Sequence, residues 1–180
     1  MSSVVLPNTV STIGEYAFAS CPITTFNFKN VTDIKNSAFL SSGLTGDITI
    51  SALTSISDGV FRNTGITSVD FTGSTFTDVG ENEFLTCSSL DHVKLPSSVT
   101  NIKKMAFYGC SALRYIIVPT TQTLTIQNDQ VFLNVPSSCI MYVDDDNVAA
   151  VTSMNASLGY GNFAGTIKGI SSFESDFPNG

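Results

Sequence analysis

Six phenylalanines mark out the chain at a nearly fixed step, and no other feature limits its possible folds as much. Phe18, Phe39, Phe61, Phe84, Phe107 and Phe132 are separated by 21, 22, 23, 23 and 25 residues. Five or six residues before each stands a branched apolar residue: Ile13, Ile34, Ile56, Val79, Ile102 and Ile126. Two or three residues further back comes another: Val10, Val31, Leu53, Phe76, Val99 and Leu124. After the first five phenylalanines a short alternating run begins, at Ile23, Leu44, Ile66, Leu90 and Leu113. The period is that of a repeat array, and each run reads as a short strand with one face buried.

A unit this short cannot bury its apolar face alone. Stacked, the units form a solenoid in which each turn covers its neighbours. Strand spacing of about 4.8 Å spreads six turns over roughly 25–30 Å, with the phenylalanine rings piled into an internal ladder. The 180 residues, 42% of them hydrophobic, suffice for one domain with a real core. The formal charge of −7 argues against nucleic acid or an anionic membrane as partner. No apolar run approaches the roughly 18 residues of a membrane span, so no membrane insertion is expected. The N-terminus, MSSVVLPNTV, has no basic head or long apolar segment of a secretory signal.

The phrase LPNTVSTIGEYAFASCPI, Leu6 to Ile23, returns as LPSSVTNIKKMAFYGCSAL, Leu95 to Leu113. This pattern resembles the BspA-like leucine-rich repeat, also called the treponemal-type repeat, from about Val4 to Phe132. Individual turns depart from it: the alanine before the phenylalanine becomes Val60, Glu83 or Val131, and the cysteine position holds Ser42 and Thr64. The resemblance implies an α+β solenoid, a right-handed superhelix of about six short-strand turns over residues 1–136. It also implies a strand–helix capping module over 137–170, with Ile140, Tyr142 and Val143 on the strand and Asn147 to Met154 on the helix. Residues 171–180, SSFESDFPNG among them from Ser171, read as a polar tail or linker.

Residues that could carry chemistry mostly fall on repeat positions. Cys21, Cys87 and Cys110 each stand three residues after a ladder phenylalanine, the place of a small buried thiol. A disulfide between Cys87 and Cys110, one turn apart, is geometrically possible. One histidine, His92, and no C-x-x-C pair argue against a zinc site. The same histidine stands in no nucleophile motif and is expected on an outward strand face, so no enzyme and no cofactor is expected. Asp144 to Asp146 suit a helix N-terminus better than a calcium loop. GYGNFAG, Gly159 to Gly165, reads as a turn rather than a dinucleotide loop.

Binding has better support. Alternation puts one row of side chains outward: Val5, Asn27, Thr49, Asp70, Lys94 and Ile117. A second row reads Thr25, Asp47, Ser68, His92 and Tyr115. The candidate binding face is therefore Asn27, Thr49, Asp70, His92, Lys94, Tyr115 and Ile117. Its least polar end, Tyr115 with Ile117, is either an exposed hot spot or a seat for the closing module. Proteins with BspA-like repeats are often secreted or wall-attached adhesins. The resemblance thus implies a non-catalytic, extracellular or cell-surface interaction module that binds a protein or glycan on a host or neighbouring cell. The alternative is a structural spacer within a larger surface or virion-fibre protein.

Overall fold

Each turn of the chain contains a short strand that points one apolar residue inward and one polar residue outward. The computed structural model describes residues 2–4, 6–127, 130–158 and 162–177. In chain order the strands are β1 Ser2–Val4, β2 Thr12–Ile13, β3 Ile23–Phe26, β4 Asp33–Ile34, β5 Thr45–Thr49, β6 Ser55–Ile56 and β7 Gly65–Asp70. They continue as β8 Asp78–Val79, β9 His92–Lys94, β10 Asn101–Ile102, β11 Tyr115–Val118, β12 Thr125–Ile126, β13 Ile140–Val143 and β14 Thr166–Gly169. The even-numbered strands up to β12 carry the short-strand pattern and pair in parallel as β2-β4-β6 and β8-β10-β12. The longer strands form a six-stranded parallel sheet, β5-β7-β9-β11-β13-β14, and β1 pairs with β3. The architecture is a parallel solenoid, as the spacing requires.

Between each short strand and the next long one the chain makes a tight turn that carries the ladder phenylalanine. In all six turns, the residues two before and two after that phenylalanine have positive φ. They are Tyr16 and Ser20, Ser37 and Ser41, Gly59 and Asn63, Asn82 and Thr86, Met105 and Gly109, Gln130 and Asn134. The left-handed residues turn alternate amides along the solenoid axis, so the turn bonds to its neighbour as a strand would. The Phe18, Phe39, Phe61, Phe84 and Phe107 N–H groups donate to Ala38, Val60, Glu83, Ala106 and Val131 carbonyls, at 2.8–3.2 Å. Only two of the twelve positions are glycine, so the other ten accept roughly 1–2 kcal/mol of backbone strain each. What that strain secures is backbone pairing between successive turns from the first to the sixth.

Inside, the six rings stack as the period requires. Successive ring centroids lie 5.3, 5.9, 6.0, 5.3 and 5.6 Å apart, with interplanar angles of 7–19°. Phe39, Phe61, Phe84 and Phe107 are completely buried, whereas Phe18 at the first turn is half-buried. Beside the ladder the thiols reach back one turn: Cys87 Sγ donates to the Phe61 carbonyl and Cys110 Sγ to that of Phe84. All four cysteines are free. Burial pushes Cys87 up to about 11 and Cys139 up to about 12, which keeps both as inert thiols.

The far end is closed by a different construction. After β13, the Asp144 side chain caps a 3-10 turn by accepting from the Asp146 N–H. The helix α1, Val148–Ser157, follows and runs three residues beyond the expected end. Asn155 on α1 is buried and clamps the returning chain: its amide donates to the Phe163 carbonyl and accepts from the Phe163 N–H, both at 2.8 Å. Phe163 then meets Phe132 edge-on, with centroids 5.1 Å apart, and ends the ladder. Of the run Gly159 to Gly165, residues 159–161 lie outside the described residues, as does Val5.

Candidate functional site

The outward face of the six-stranded sheet is where the parallel register converts repeat positions into rows. Thr49, Asp70, Lys94 and Ile117 are direct neighbours on successive strands, and so are Asp47, Ser68, His92 and Tyr115. The first row continues through Tyr142 to Lys168 on the closing strands. Asn27 lies just beyond β3, exposed, at the N-terminal end of the same face. The rows are legible because side chains two apart on a parallel strand share a face, and register carries that face across the sheet.

The two ends of this face differ in chemistry. At the N-terminal end Asn27, Asp47 and Thr49 are exposed and Asp70 is half-buried. Asp47 accepts from the Thr67 and Ser68 hydroxyls at 2.6 and 2.7 Å, and these bonds hold its carboxyl below the usual carboxylate range. In the middle, Asp91 is shared. Arg114 donates to it from Nε, to Oδ1, and from Nη2, to Oδ2 at 2.6 Å, and His92 Nδ1 lies 2.9 Å from the same Oδ2. The Arg114 bond holds the Asp91 carboxyl below its ordinary value. His92 is thus half-buried between Asp91 and the Tyr115 ring, on which it stacks at 4.8 Å and 16°.

At the C-terminal end Tyr115 is a packed residue and not an exposed hot spot. Tyr115 is only 3% exposed, because the last described segment folds back across it. A 3-10 turn, Ile170–Ser172, leads into α2, Phe173–Asp176. The rings of Phe173 and Phe177 sit 5.2 and 4.6 Å from that of Tyr115, and Phe173 lies 5.1 Å from Tyr142. Asp176 accepts from the Tyr142 hydroxyl and pairs with Lys168 Nζ at 2.9 Å, which holds its carboxyl low. The stretch expected as a polar tail is therefore packed, through two phenylalanines among its serines and acids. Their four-residue spacing puts both rings on one side of a helical turn, and that was the signal to find them. Ile117, expected beside Tyr115 as the apolar end, is half-buried.

One buried group was visible in sequence only as a departure from the repeat. Glu83 takes the place of the alanine or valine of other turns and is 1% exposed. Its Oε2 accepts a long bond from the Val60 N–H at 3.4 Å, while Oε1 has no partner. Burial pushes its carboxyl well above the normal range and so favours the protonated form.

With this geometry in view, the comparison with protein families is decisive. A model of the BspA type leucine rich repeat region matches residues 1–84 and 54–153, in six copies. The chain belongs to that family. No curated protein and no solved structure matches it. Family membership makes the chain a repeat-based interaction module on a scaffold that is typically non-catalytic. Among the described residues, no helix is long and apolar enough to cross a membrane.

Proposed function

We propose that this BspA-type chain is an adhesion module displayed at a cell surface, and that the open N-terminal half of the sheet face contacts a protein or glycan on a host or neighbouring cell. One observation carries the reading: Thr49, Asp70 and Lys94 stand one strand apart in exact register, on a rigid sheet, with a different side chain at each level. Repeat scaffolds recognise partners through such faces, because the rigid backbone costs little ordering entropy on binding. Membership in a family commonly associated with cell surfaces supports the location.

The test is direct binding of the purified full chain to immobilised matrix proteins and a glycan panel, repeated with a Asp70→Lys/Lys94→Glu double variant. Both residues are half-buried, and Asp70 also accepts from the Thr72 N–H at 2.8 Å, so circular dichroism first checks that the double variant is folded. Charge reversal at two central positions should weaken a bound partner at least tenfold, consistent with the 1–3 kcal/mol that polar contacts at an interface typically carry. Unchanged affinity would move the contact elsewhere. Absence of any ligand would favour the spacer reading instead.

A further inference from the structure

The segment lying over Tyr115 and Tyr142 has the character of a bound ligand rather than of core. The continuous apolar cluster inside the solenoid runs from Ile13 to Phe163; Tyr115 and Tyr142, though buried, lie outside it, as do Phe173 and Phe177. These four rings form their own cluster outside the sheet, with centroid distances of 4.6–6.4 Å. The segment contributes little structure of its own. Its helix has four residues and closes with a single bond from the Phe177 N–H to the Phe173 carbonyl. A helix that short is not stable by itself, so its order comes from the surface beneath.

That surface reads the segment by chemistry at several points. Tyr115 and Tyr142 offer ring faces and edges to Phe173 and Phe177. The Arg114 guanidinium sits 5.7 Å over the Phe177 ring and 5.9 Å over Tyr115, within cation–π range. Lys168 Nζ lies 2.9 Å from both Asp176 oxygens, and the Tyr142 hydroxyl donates to the same carboxylate. Two aromatic seats with two cationic groups, one reading a carboxylate between the rings, make a site for a specific pattern.

The geometry points to a peptide-docking platform at the C-terminal end of the face. It takes a partner protein's segment with aromatic residues four apart and an acidic residue just before the second. The chain's own Phe173–Phe177 stretch is the resident occupant, which a partner in trans displaces. Tethering holds the resident at an effective concentration of about millimolar, so the platform is closed until a competing segment is abundant or tighter. The platform extends the reading of the sheet face as a recognition surface. Its test is independent of the matrix and glycan assay, because it uses the latched end and a defined peptide.

The probe is the fluorescently labelled octapeptide ISSFESDF, titrated by anisotropy against the full chain and against a full-length Phe173→Ala/Phe177→Ala variant. The variant, with its platform vacated, should bind the peptide saturably, and the parent at least tenfold more weakly. The peptide ISSAESDA should not bind, and Lys168→Ala in the vacated variant should weaken ISSFESDF severalfold. If the double variant loses its native circular dichroism, Asp176→Lys replaces it, loosening the segment by setting two lysines together while keeping both rings. Absence of saturable binding to a folded, vacated chain overturns the proposal. So does a parent chain that is dimeric in solution and becomes monomeric on Phe173→Ala/Phe177→Ala, since the platform would then join two copies.

Discussion

The first and fifth turns are nearly the same phrase in two different settings. Leu6, Val10, Phe18 and Cys21 of the first are half-buried, whereas Leu95, Val99, Phe107 and Cys110 of the fifth are at most 1% exposed. The local backbone is the same: Tyr16 and Met105 both hold left-handed φ, near 53° and 52°. A turn therefore takes its conformation from its own sequence but its burial from its neighbours. Stability in such a stack lies largely in the interfaces between turns.

The comparison can be broken most forcefully at the ladder. Phe107→Ala leaves a cavity between Phe84 and Phe132 and should cost about 3–5 kcal/mol. Phe18→Ala, with a neighbour on one side only, should cost about 1–2 kcal/mol, since less area leaves water in the first place. Urea unfolding of the two variants measures both, and equal losses would contradict the neighbour-based account. Next in size is Glu83, a carboxyl held in the middle of the stack. Its raised folded-state value means that stability is fully present below about pH 4.3, the unfolded value, and falls as pH rises towards the folded one. Asp47, Asp78, Asp91 and Asp176 are lowered, so they act in the opposite direction and in the acid range, losing their contribution as pH falls below about 3.9. Glu83→Gln should therefore change stability little at pH 4 and raise it relative to the parent at pH 8, because glutamine has no proton to lose on unfolding. A difference independent of pH would show that the folded-state value is not raised. The smallest effect is at the left-handed positions. Tyr16→Gly, whose side chain is exposed, relieves strain offset by the freedom glycine loses on folding, for a net gain of about 0.5–1 kcal/mol, while Met105→Gly also gives up a half-buried side chain and should gain less. An equal or larger gain at Met105 would show that the strain too depends on neighbours.

Much of this was legible in sequence, for a physical reason. A position buried in every turn repeats its residue type, so the ladder, the short strands and the outward rows announce themselves by period alone. The capping strand and helix were recognisable by likeness to the ends of related arrays. What escaped was tertiary and occurs once. Nothing periodic points Phe173 and Phe177 at Tyr115, and the serines and acids around them read as solvent-facing. Glu83 was visible as a break in the alanine position, yet its burial follows from the turns on either side of it. The period placed the outward rows on one sheet face, but how much of that face is exposed depends on a segment outside the repeat.

The axial amides of the turns carry one more consequence. At each of the first five ladder phenylalanines the donor points towards the following turn and meets a carbonyl pointing back. The rod is thus a one-way street: a new level can be threaded in between two existing ones without disturbing the grammar of either. Insertions or deletions of an entire coil preserve this polarity, while a one-residue slip inside a coil inverts it. Growth by whole modules is the form of change that such a molecule accommodates.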